Sequence, residues 1–335
     1  MICMRPTVRT FGVTAAVAAT LMVAACGDSS SDSGGSADPD APIAVKVSSL
    51  NLCDERYLYW GVEKGVFAEH GLDVTVVPGV GGAPGIAALQ PGEVNLAFTD
   101  PFSIFRAEEQ GIDLTVVSAA YTSAQPPAPQ AGGVAVKKGS DISGAADLEG
   151  KTVAVNELAG INQIMIENWV READGDPSKV EFVALPFPEL GPAVVSGRVD
   201  AGQLPASALA MNSDALDSIG NAFTSATGGY AIYATYTGMT DWIKDHPGVE
   251  DRWLAAMNES IEQIHDPANE AESFEIASAV CKTPAATLLE LPGNTITSSI
   301  DMAVLEDMAQ MALKSEQLES APDLESLVVP AVRLG

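Results

Sequence analysis

Short apolar stretches and amphipathic stretches alternate along the chain from residue 43 onward. Residues 43–48 alternate in polarity and carry β-branched side chains, which predicts a strand, and a helical spacing of apolar positions then continues until Gly71. The first half is predicted to contain strands at 43–48, 73–77 and 94–98 and helices at 57–70 and 85–90. Strands that alternate with helices favour an α/β fold with parallel sheets.

The same order of elements recurs in the second half of the chain. Its predicted elements are strands at 152–155 and 180–185 and helices at 161–172 and 192–196. The turns after the short helices also agree, with PGEVN at 91–95 and SGRVD at 196–200. The repeat predicts two α/β domains of similar construction.

Two crossings are expected to join these domains. A proline-rich stretch at 121–133 predicts the first crossing, the second is expected near 230–237, and the largely helical residues 240–335 are expected to return to the first domain. The predicted boundaries are 43–125 with 236–335 for domain 1, and 126–235 for domain 2. A double connection of this kind would let the domains close like a hinge around a ligand.

The N-terminus predicts export from the cytoplasm. Two arginines precede an apolar run at 11–23, which is too short to span a bilayer, and small residues then lead to Cys26. We interpret 1–25 as a lipoprotein signal peptide, Cys26 as the lipid-bearing mature N-terminus and 26–42 as a flexible tether rich in Ser, Gly and Asp. The alternative is ordinary secretory cleavage nearby, with Cys26 incidental.

The net charge limits the possible partners, and the cysteine count limits the possible disulfides. Seventeen Lys and Arg against 45 Asp and Glu give a formal net charge of −28, which argues against nucleic acid as a partner. Cys3 would leave with the signal peptide and Cys26 would be acylated, so Cys53 and Cys281 remain. They form either a disulfide or two buried free thiols.

Ligands of open α/β sheets bind beyond the carboxyl ends of the strands. This rule selects loops at 50–57, 79–85, 99–102, 156–162, 186–189 and 203–206. The glycine-dense stretch 79–85 lacks the phosphate-loop pattern and is interpreted as a mobile lid or a tight strand-to-helix turn. The candidate ligand-binding residues in these loops are Asn51, Asp54, Tyr57, Gly81, Gly82, Thr99, Asp100, Phe102, Glu157, Asn162, Phe187 and Gln203.

Several of these candidates have purely structural alternatives. Asp100 precedes a proline and fits the N-cap of a helix as well as it fits a ligand contact. Glu157 and Asn162 flank a helix start and fit simple loop solvation equally well. Tyr57, Phe102 and Phe187 are interpreted as stacking faces for a flat or apolar ligand.

Catalytic and metal-binding patterns do not occur in the sequence. The three histidines, His70, His246 and His265, have no Cys, Asp or Glu at metal-ligand spacing, and no HExxH, CxxC or GxSxG pattern is present. We therefore expect no metal, no cofactor and no enzymatic activity.

Four segments carry a family resemblance. The stretch WGVEKGVFAEHGLDV at 60–74 resembles a segment of solute-binding proteins of the nitrate, sulfonate and taurine class, which includes thiamine-pyrimidine-like members. The resemblance continues at 91–95, in DLEGKTVAV at 147–155 and in SGRVDA at 196–201. It covers most of residues 43–230, whereas the C-terminal third is similar only in helical character.

The resemblance implies a type II periplasmic-binding fold and a monomer that delivers a small solute to an ABC importer permease. With the lipid anchor at Cys26, the protein would lie outside the cytoplasm on a bacterial cell membrane. The implied solute is organic: aromatic, heterocyclic or sulfonate-like. Because the candidate loops hold Asp54, Asp100, Glu157 and Glu189 against Arg56 alone, a heterocycle with N–H donors fits better than a simple inorganic anion. The alternatives are a small-molecule sensor lipoprotein and an enzyme of the same fold, of the pyrimidine or menaquinone type.

Overall fold

The computed structural model describes residues 41–79, 81–124, 131–223 and 230–334. The predicted signal peptide, Cys26 and nearly all of the predicted tether lie outside these residues. Within the described ranges, no helix combines the length and the hydropathy that a membrane span requires.

The described residues form thirteen strands, which are numbered here in chain order. They are β1 Ile43–Ser49, β2 Leu72–Pro78, β3 Ala97–Thr99, β4 Leu114–Thr122, β5 Gly133–Lys137, β6 Thr152–Val155, β7 Glu181–Ala184, β8 Ala201–Leu204, β9 Leu216–Gly220, β10 Ile232–Met239, β11 Thr295–Ile296, β12 Ile300–Asp301 and β13 Arg333–Leu334.

The helices of the described residues are numbered in the same way. They are α1 Arg56–Glu63, α2 Val66–Glu69, α3 Gly82–Leu89, α4 Pro101–Glu109, α5 Ile161–Glu172, α6 Phe187–Ser196, α7 Ala206–Met211, α8 Thr240–Asp245, α9 Val249–His265, α10 Glu270–Cys281, α11 Ala285–Leu288, α12 Met302–Lys314 and α13 Leu324–Leu327. Short 3-10 turns lie at Cys53–Glu55, Ala145–Leu148, Pro177–Lys179 and Pro330–Val332.

The two larger sheets of the described residues define two lobes. In lobe 1 (43–122 and 232–334), the strand order is β11-β4-β10-β3, and β1 pairs in parallel with β2. A hydrogen bond from Ser48 N to Leu96 O (3.0 Å) places β1 beside the start of β3. In lobe 2 (133–220), the order is β7-β6-β8-β5-β9. In lobe 1 the antiparallel strand β10 lies between β3 and β4, and in lobe 2 the antiparallel strand β5 lies between β8 and β9, so the repeat predicted from the sequence is present in the topology.

The chain returns to lobe 1 before β10 begins. This strand is antiparallel to both β3 and β4, with Thr235 opposite Thr99 on one side and Ala119 on the other. The predicted boundary between 235 and 236 therefore falls inside β10. Composition marks a crossing only approximately, because it carries no information on strand pairing. Farther along, Val329 N donates to Val116 O (3.1 Å), which ties the C-terminal segment to lobe 1.

The helix predicted at 57–70 is two helices. Gly65 adopts a left-handed φ of 77° and separates α1 from α2, because this conformation ends a right-handed helix. The break lets Phe67 pack against Trp253 of α9, with ring centroids 5.1 Å apart. Both aromatic side chains are buried beneath the β1–β2 pair and β4 in the core of lobe 1.

Candidate functional site

A cavity of about 670 Å³, part of it open to solvent, lies between the two lobes. Its aromatic and large aliphatic lining comes from both lobes. These side chains are Leu50, Leu52, Phe98, Tyr121, Ile161, Phe187, Leu204 and Tyr233. Its polar lining consists of Asp54, Thr99, Asp100, Asn156, Glu157, Asn162, Gln203 and Asn294. The cavity follows the rule used for the sequence, because it collects loops from the carboxyl ends of the parallel strands.

Asp100 enters the cavity as the N-cap of α4. Its Oδ1 accepts from the backbone N–H of Ser103 (3.1 Å), and its Oδ2 accepts from the Ser103 hydroxyl (2.6 Å). Pro101 occupies the first helical turn, where no backbone N–H is needed. Asp100 therefore both caps α4 and lines the cavity, and it is only 4% exposed.

Glu157 reaches across from lobe 2 to lobe 1. Its Oε1 accepts from the backbone N–H of Gly82 (3.1 Å), while its buried Oε2 receives no hydrogen bond from a described donor. Burial, followed by the neighbouring Asp100 carboxylate, raises the pKa of Glu157 to about 8. Removal from water and a nearby like charge both disfavour the ionised form.

The two glycines at the start of α3 make room for these carboxyl groups. A Cβ on Gly82 would lie 2.1 Å from Asp100 Oδ2, and a Cβ on Gly81 would lie 2.3 Å from Glu157 Oε2. Gly81 also has a φ of 148°, which side-chain-bearing residues rarely adopt. Of the two interpretations of the glycine-dense stretch, the described residues have the tight strand-to-helix turn.

Two further carboxyl groups lie in the loop after β1. Asp54 lines the cavity, and burial raises its pKa against the opposing effects of Asn294 hydrogen bonds and the Arg56 charge. Glu55 lies beneath the loop with no solvent exposure, and its Oε1 accepts from the backbone N–H groups of Leu50 and Leu52, each at 3.1 Å. Burial raises the pKa of Glu55 to about 7.

Most of the residues nominated from the sequence meet in one place. Those that line the cavity are Asp54, Gly81, Gly82, Thr99, Asp100, Glu157, Asn162, Phe187 and Gln203. Asn51 lies on an adjoining, wider groove of about 1520 Å³ that includes open solvent. Asn162 donates to Asn156 (2.6 Å), so part of its hydrogen-bonding capacity orients another cavity residue.

Two nominated aromatics belong to the core. Tyr57 is fully buried, and its hydroxyl donates to the hydroxyl of Tyr236 (3.1 Å). Phe102 is 1% exposed and packs edge-on against Phe105, with centroids 6.3 Å apart. Each lies on the inward face of a helix rather than on the loop before it. The prediction that Tyr57 and Phe102 line the ligand site is therefore wrong.

Sequence reasoning missed several lining residues. Phe98 directly precedes the nominated Thr99, and Tyr233 lies within the predicted second crossing. Both could have been nominated because they lie next to features that the sequence had already indicated. Asn294 had no such signal, because it lies in the C-terminal third and reaches the cavity only through the return of the chain to lobe 1.

A disulfide joins Cys53 to Cys281 at the edge of the site. The Cα atoms are 5.2 Å apart, and both residues line the wider groove. The bond ties the loop that carries Asp54 and Glu55 to the end of α10. Of the two alternatives open for this pair, the structure has the disulfide.

The histidines have structural partners. His70 Nε2 lies 2.8 Å from Glu259, while His246 Nδ1 and His265 Nδ1 lie 2.8 Å and 2.7 Å from backbone carbonyls. Across the part of the chain that the structure describes, no group of three or more His, Cys, Asp or Glu is arranged to hold a metal ion.

A sequence model of the family described as NMT1/THI5 like matches residues 55–271. The chain belongs to the NMT1/THI5-like family. The match begins in the loop after β1 and ends in α10, so it contains β2 to β10 and therefore the main strands of both lobes apart from β1. The resemblance seen in the sequence is confirmed.

One curated relative of this NMT1/THI5-like protein is similar over part of its sequence. The formylaminopyrimidine-binding protein of Halalkalibacterium halodurans is 33% identical over 145 residues, which are 43% of this chain and 42% of that protein. The chain thus matches about two fifths of the length of that relative.

The solved structures have the same fold. The periplasmic aliphatic sulphonate-binding protein SsuA of Escherichia coli superposes with a TM-score of 0.68 at 16% identity, over 87% of this chain and 99% of SsuA. The periplasmic nitrate-binding protein NrtA of Synechocystis PCC 6803 gives a TM-score of 0.74 at 13% identity, over 87% of each chain. The predicted periplasmic-binding fold is confirmed.

Proposed function

We propose that this protein is an extracytoplasmic solute-binding protein, without catalytic activity, that captures a small organic solute between its lobes and delivers it to an ABC importer. The observation that carries this proposal is the cavity itself, which is lined from both lobes by aromatic faces and by polar side chains, one of them unsatisfied. Gln203 Oε1 is buried there with no protein partner among the described groups. Such an atom favours a bound molecule that completes its hydrogen bonds.

The lining favours a heterocyclic solute with N–H donors. Asp54, Asp100 and Glu157 face the cavity, and no described Lys, Arg or His is part of its lining. A sulfonate or nitrate ion would meet carboxyl groups without a compensating cation, which is unfavourable in a buried site. A donor-bearing ring would instead pair with the carboxyl groups and stack on Phe98, Tyr121 or Phe187. The pyrimidine in the name of the curated relative is consistent with this class.

A ligand panel tests the solute class. Thermal unfolding of the purified protein is measured with formylaminopyrimidine, 4-aminopyrimidine, alkanesulfonates and nitrate, and the pyrimidines are expected to raise the midpoint. A solute at 100 times its Kd adds about 2.7 kcal/mol of stability. Asp54→Asn should weaken the effect, whereas Asp217→Asn, on the exposed side of β9, should not. A rise with nitrate or sulfonates alone would overturn the class, and silence from every compound would overturn the binding role.

We further propose that Cys26 anchors the protein to the membrane and that the folded part acts as a monomer. The sequence before Cys26 and the tether after it support the anchor. Cys26→Ser should move the protein from the membrane fraction to the soluble fraction and abolish labelling by radioactive palmitate. Cys3→Ser, inside the predicted signal peptide, is the matched control and should change neither. Unaltered membrane association of Cys26→Ser would contradict the anchor.

A further inference from the structure

Glu157 is a direct polar link between the lobes inside the cavity. It follows β6 of lobe 2, and its Oε1 accepts from the backbone N–H of Gly82, the first residue of α3 in lobe 1. With only 8% of its surface exposed, Glu157 is removed from water when the lobes meet. Any separation of the lobes breaks this contact and hydrates the carboxyl group.

The contact between Glu157 and Asp100 requires a proton. The two carboxyl groups lie within hydrogen-bonding range of each other, and a carboxyl pair forms such a bond only if one member is protonated. Both oxygens of Asp100 already accept hydrogen bonds from Ser103. Oε2 of Glu157 has no other donor, so the proton belongs on Glu157.

The remaining charged groups around Glu157 do not remove this requirement. Arg106, on α4, favours the ionised form of Glu157, but its effect is smaller than that of burial and of Asp100. Asp54, which lines the same cavity, is another acid, and the hydroxyls of Tyr121 and Tyr233 are neutral at physiological pH because burial raises the pKa of each. The surroundings of Glu157 therefore favour a bound positive charge, whether a proton or a group on the solute.

We propose that protonated Glu157 latches the lobes of the empty cleft and that a positively charged solute takes the place of this proton, so that Glu157 selects cations over neutral molecules of the same shape. The O–H bond of Glu157 breaks, its proton leaves to solvent and the carboxylate pairs with the solute. One proton is released for each solute bound. The displacement of the proton by a cationic solute rests on the proposed function, whereas the latch concerns the solute-free protein alone.

The sign of the pH dependence follows from the two environments of Glu157. In an open cleft the group is hydrated and has its ordinary pKa near 4.5, whereas in the closed cleft the pKa is about 8. Closing therefore takes up a proton between these values. The closed state of the empty protein is fully favoured below pH 4.5 and weakens as the pH rises through 8.

Small-angle scattering of the solute-free protein tests the latch. The radius of gyration is expected to increase between pH 5.5 and 9, and Glu157→Gln, a neutral isostere that keeps an acceptor for Gly82 and a donor for Asp100, is expected to stay compact throughout. Glu181→Gln, on the exposed β7, is the matched control and should behave like the unchanged protein. Circular dichroism at each pH checks that every variant is folded. A radius that does not change with pH, or a Glu157→Gln variant that opens like the unchanged protein, overturns the latch.

Calorimetry with two probes of similar shape tests the displacement. The permanently charged 4-amino-1-methylpyridinium ion should bind about tenfold more tightly for each pH unit between 5.5 and 7.5 and should release one proton, whereas neutral 4-methylaniline should lack this increase. In Glu157→Gln the increase should disappear. Binding of the cation without pH dependence overturns the displacement. If neither probe binds, selection by charge fails together with the proposed solute class, while scattering still decides the latch.

Discussion

At the residue scale, the behaviour of the site is set by carboxyl groups that the fold removes from water. Asp100 and Glu157 face the cavity, whereas Glu55 lies below it and holds the backbone of Leu50 and Leu52 in place. Glycines 81 and 82 are as important as the acids, since any side chain there would occupy the positions of the carboxyl oxygens.

Glu55 should make stability depend on pH. Because burial raises its pKa from 4.5 to about 7, its contribution is fully present below pH 4.5 and is lost as the pH rises through 7. The free energy of unfolding should fall over this range by an amount on the order of 3 kcal/mol. Urea unfolding at a series of pH values should show a flatter profile for Glu55→Gln. Glu63→Gln, exposed at the end of α1, should keep the original profile, and an equally steep profile in Glu55→Gln would contradict this assignment.

Gly82→Ala should damage the site through overpacking. The new Cβ would lie 2.1 Å from Asp100 Oδ2 and 2.6 Å from Ser103 Oγ, so the helix cap must move. We expect a loss of about 1–3 kcal/mol in the free energy of unfolding, together with loss of the pyrimidine-induced thermal shift. Gly144→Ala, which has no atom within 4 Å of its new Cβ, is the control. Equal stability and binding in the two variants would show that the Asp100 cap adapts freely.

At the scale of secondary-structure elements, loops after strands carry the site and rigid helices hold those loops. The loop after β1 has two supports: the carboxylate of Glu55 from below and the disulfide to the end of α10 from the side. α4 supports Asp100 through its capping bonds, and the turn before α3 supplies the N–H that receives Glu157.

The disulfide should stabilise the folded chain substantially. It closes a sequence separation of 228 residues, and removing a native disulfide typically costs about 2–5 kcal/mol. Adding a thiol reductant should lower the urea midpoint of the unchanged protein. It should also weaken binding of the pyrimidine solute, because the loop that carries Asp54 loses its covalent support. The double variant Cys53→Ala with Cys281→Ala should already show the lower midpoint and should not respond to reductant. An unchanged midpoint after verified reduction would contradict a stabilising bond.

The elements were predictable to the extent that their signals are local. The α/β repeat was visible because apolar spacing and terminating glycines reflect local backbone preferences, and Asp100-Pro101 indicated the start of α4. The break at Gly65 was missed because the apolar spacing continues across it, and the presence of a glycine does not reveal whether its φ is positive. Tyr57 and Phe102 were misplaced because a side chain one helical position away from a loop can face the core, which only packing decides.

At the scale of the whole molecule, the site is assembled from residues distant in sequence. Asn294 and Tyr233 meet Leu50 and Gln203 in one cavity, and no local pattern links them. The loops of each half were predictable because strand ends are local features. The closure that brings Glu157 against Gly82 was not, because it depends on how the lobes meet.

The large net charge should make stability depend on salt. A formal charge of −28 implies self-repulsion in the compact state, which salt screens. The midpoint of thermal unfolding should therefore rise by several degrees between 10 mM and 500 mM NaCl. Sucrose, an uncharged osmolyte, provides the comparison and should not reproduce the steep rise at low concentration. A midpoint that falls with NaCl would show that attractive ion pairs outweigh the repulsion.

The position of β10 in the chain has a consequence for biosynthesis. This strand joins β3 to β4, yet it leaves the ribosome only after all of Gly133–Gly220 has been made, whereas β5, its counterpart in lobe 2, precedes the strands that it joins. At about 5–20 residues per second, the first sheet waits on the order of ten seconds for its central strand. Lobe 2 can therefore complete its sheet while lobe 1 still exposes unpaired strand edges. A chain held at this stage would therefore offer lobe 1, rather than lobe 2, as the part open to mispairing with other strands.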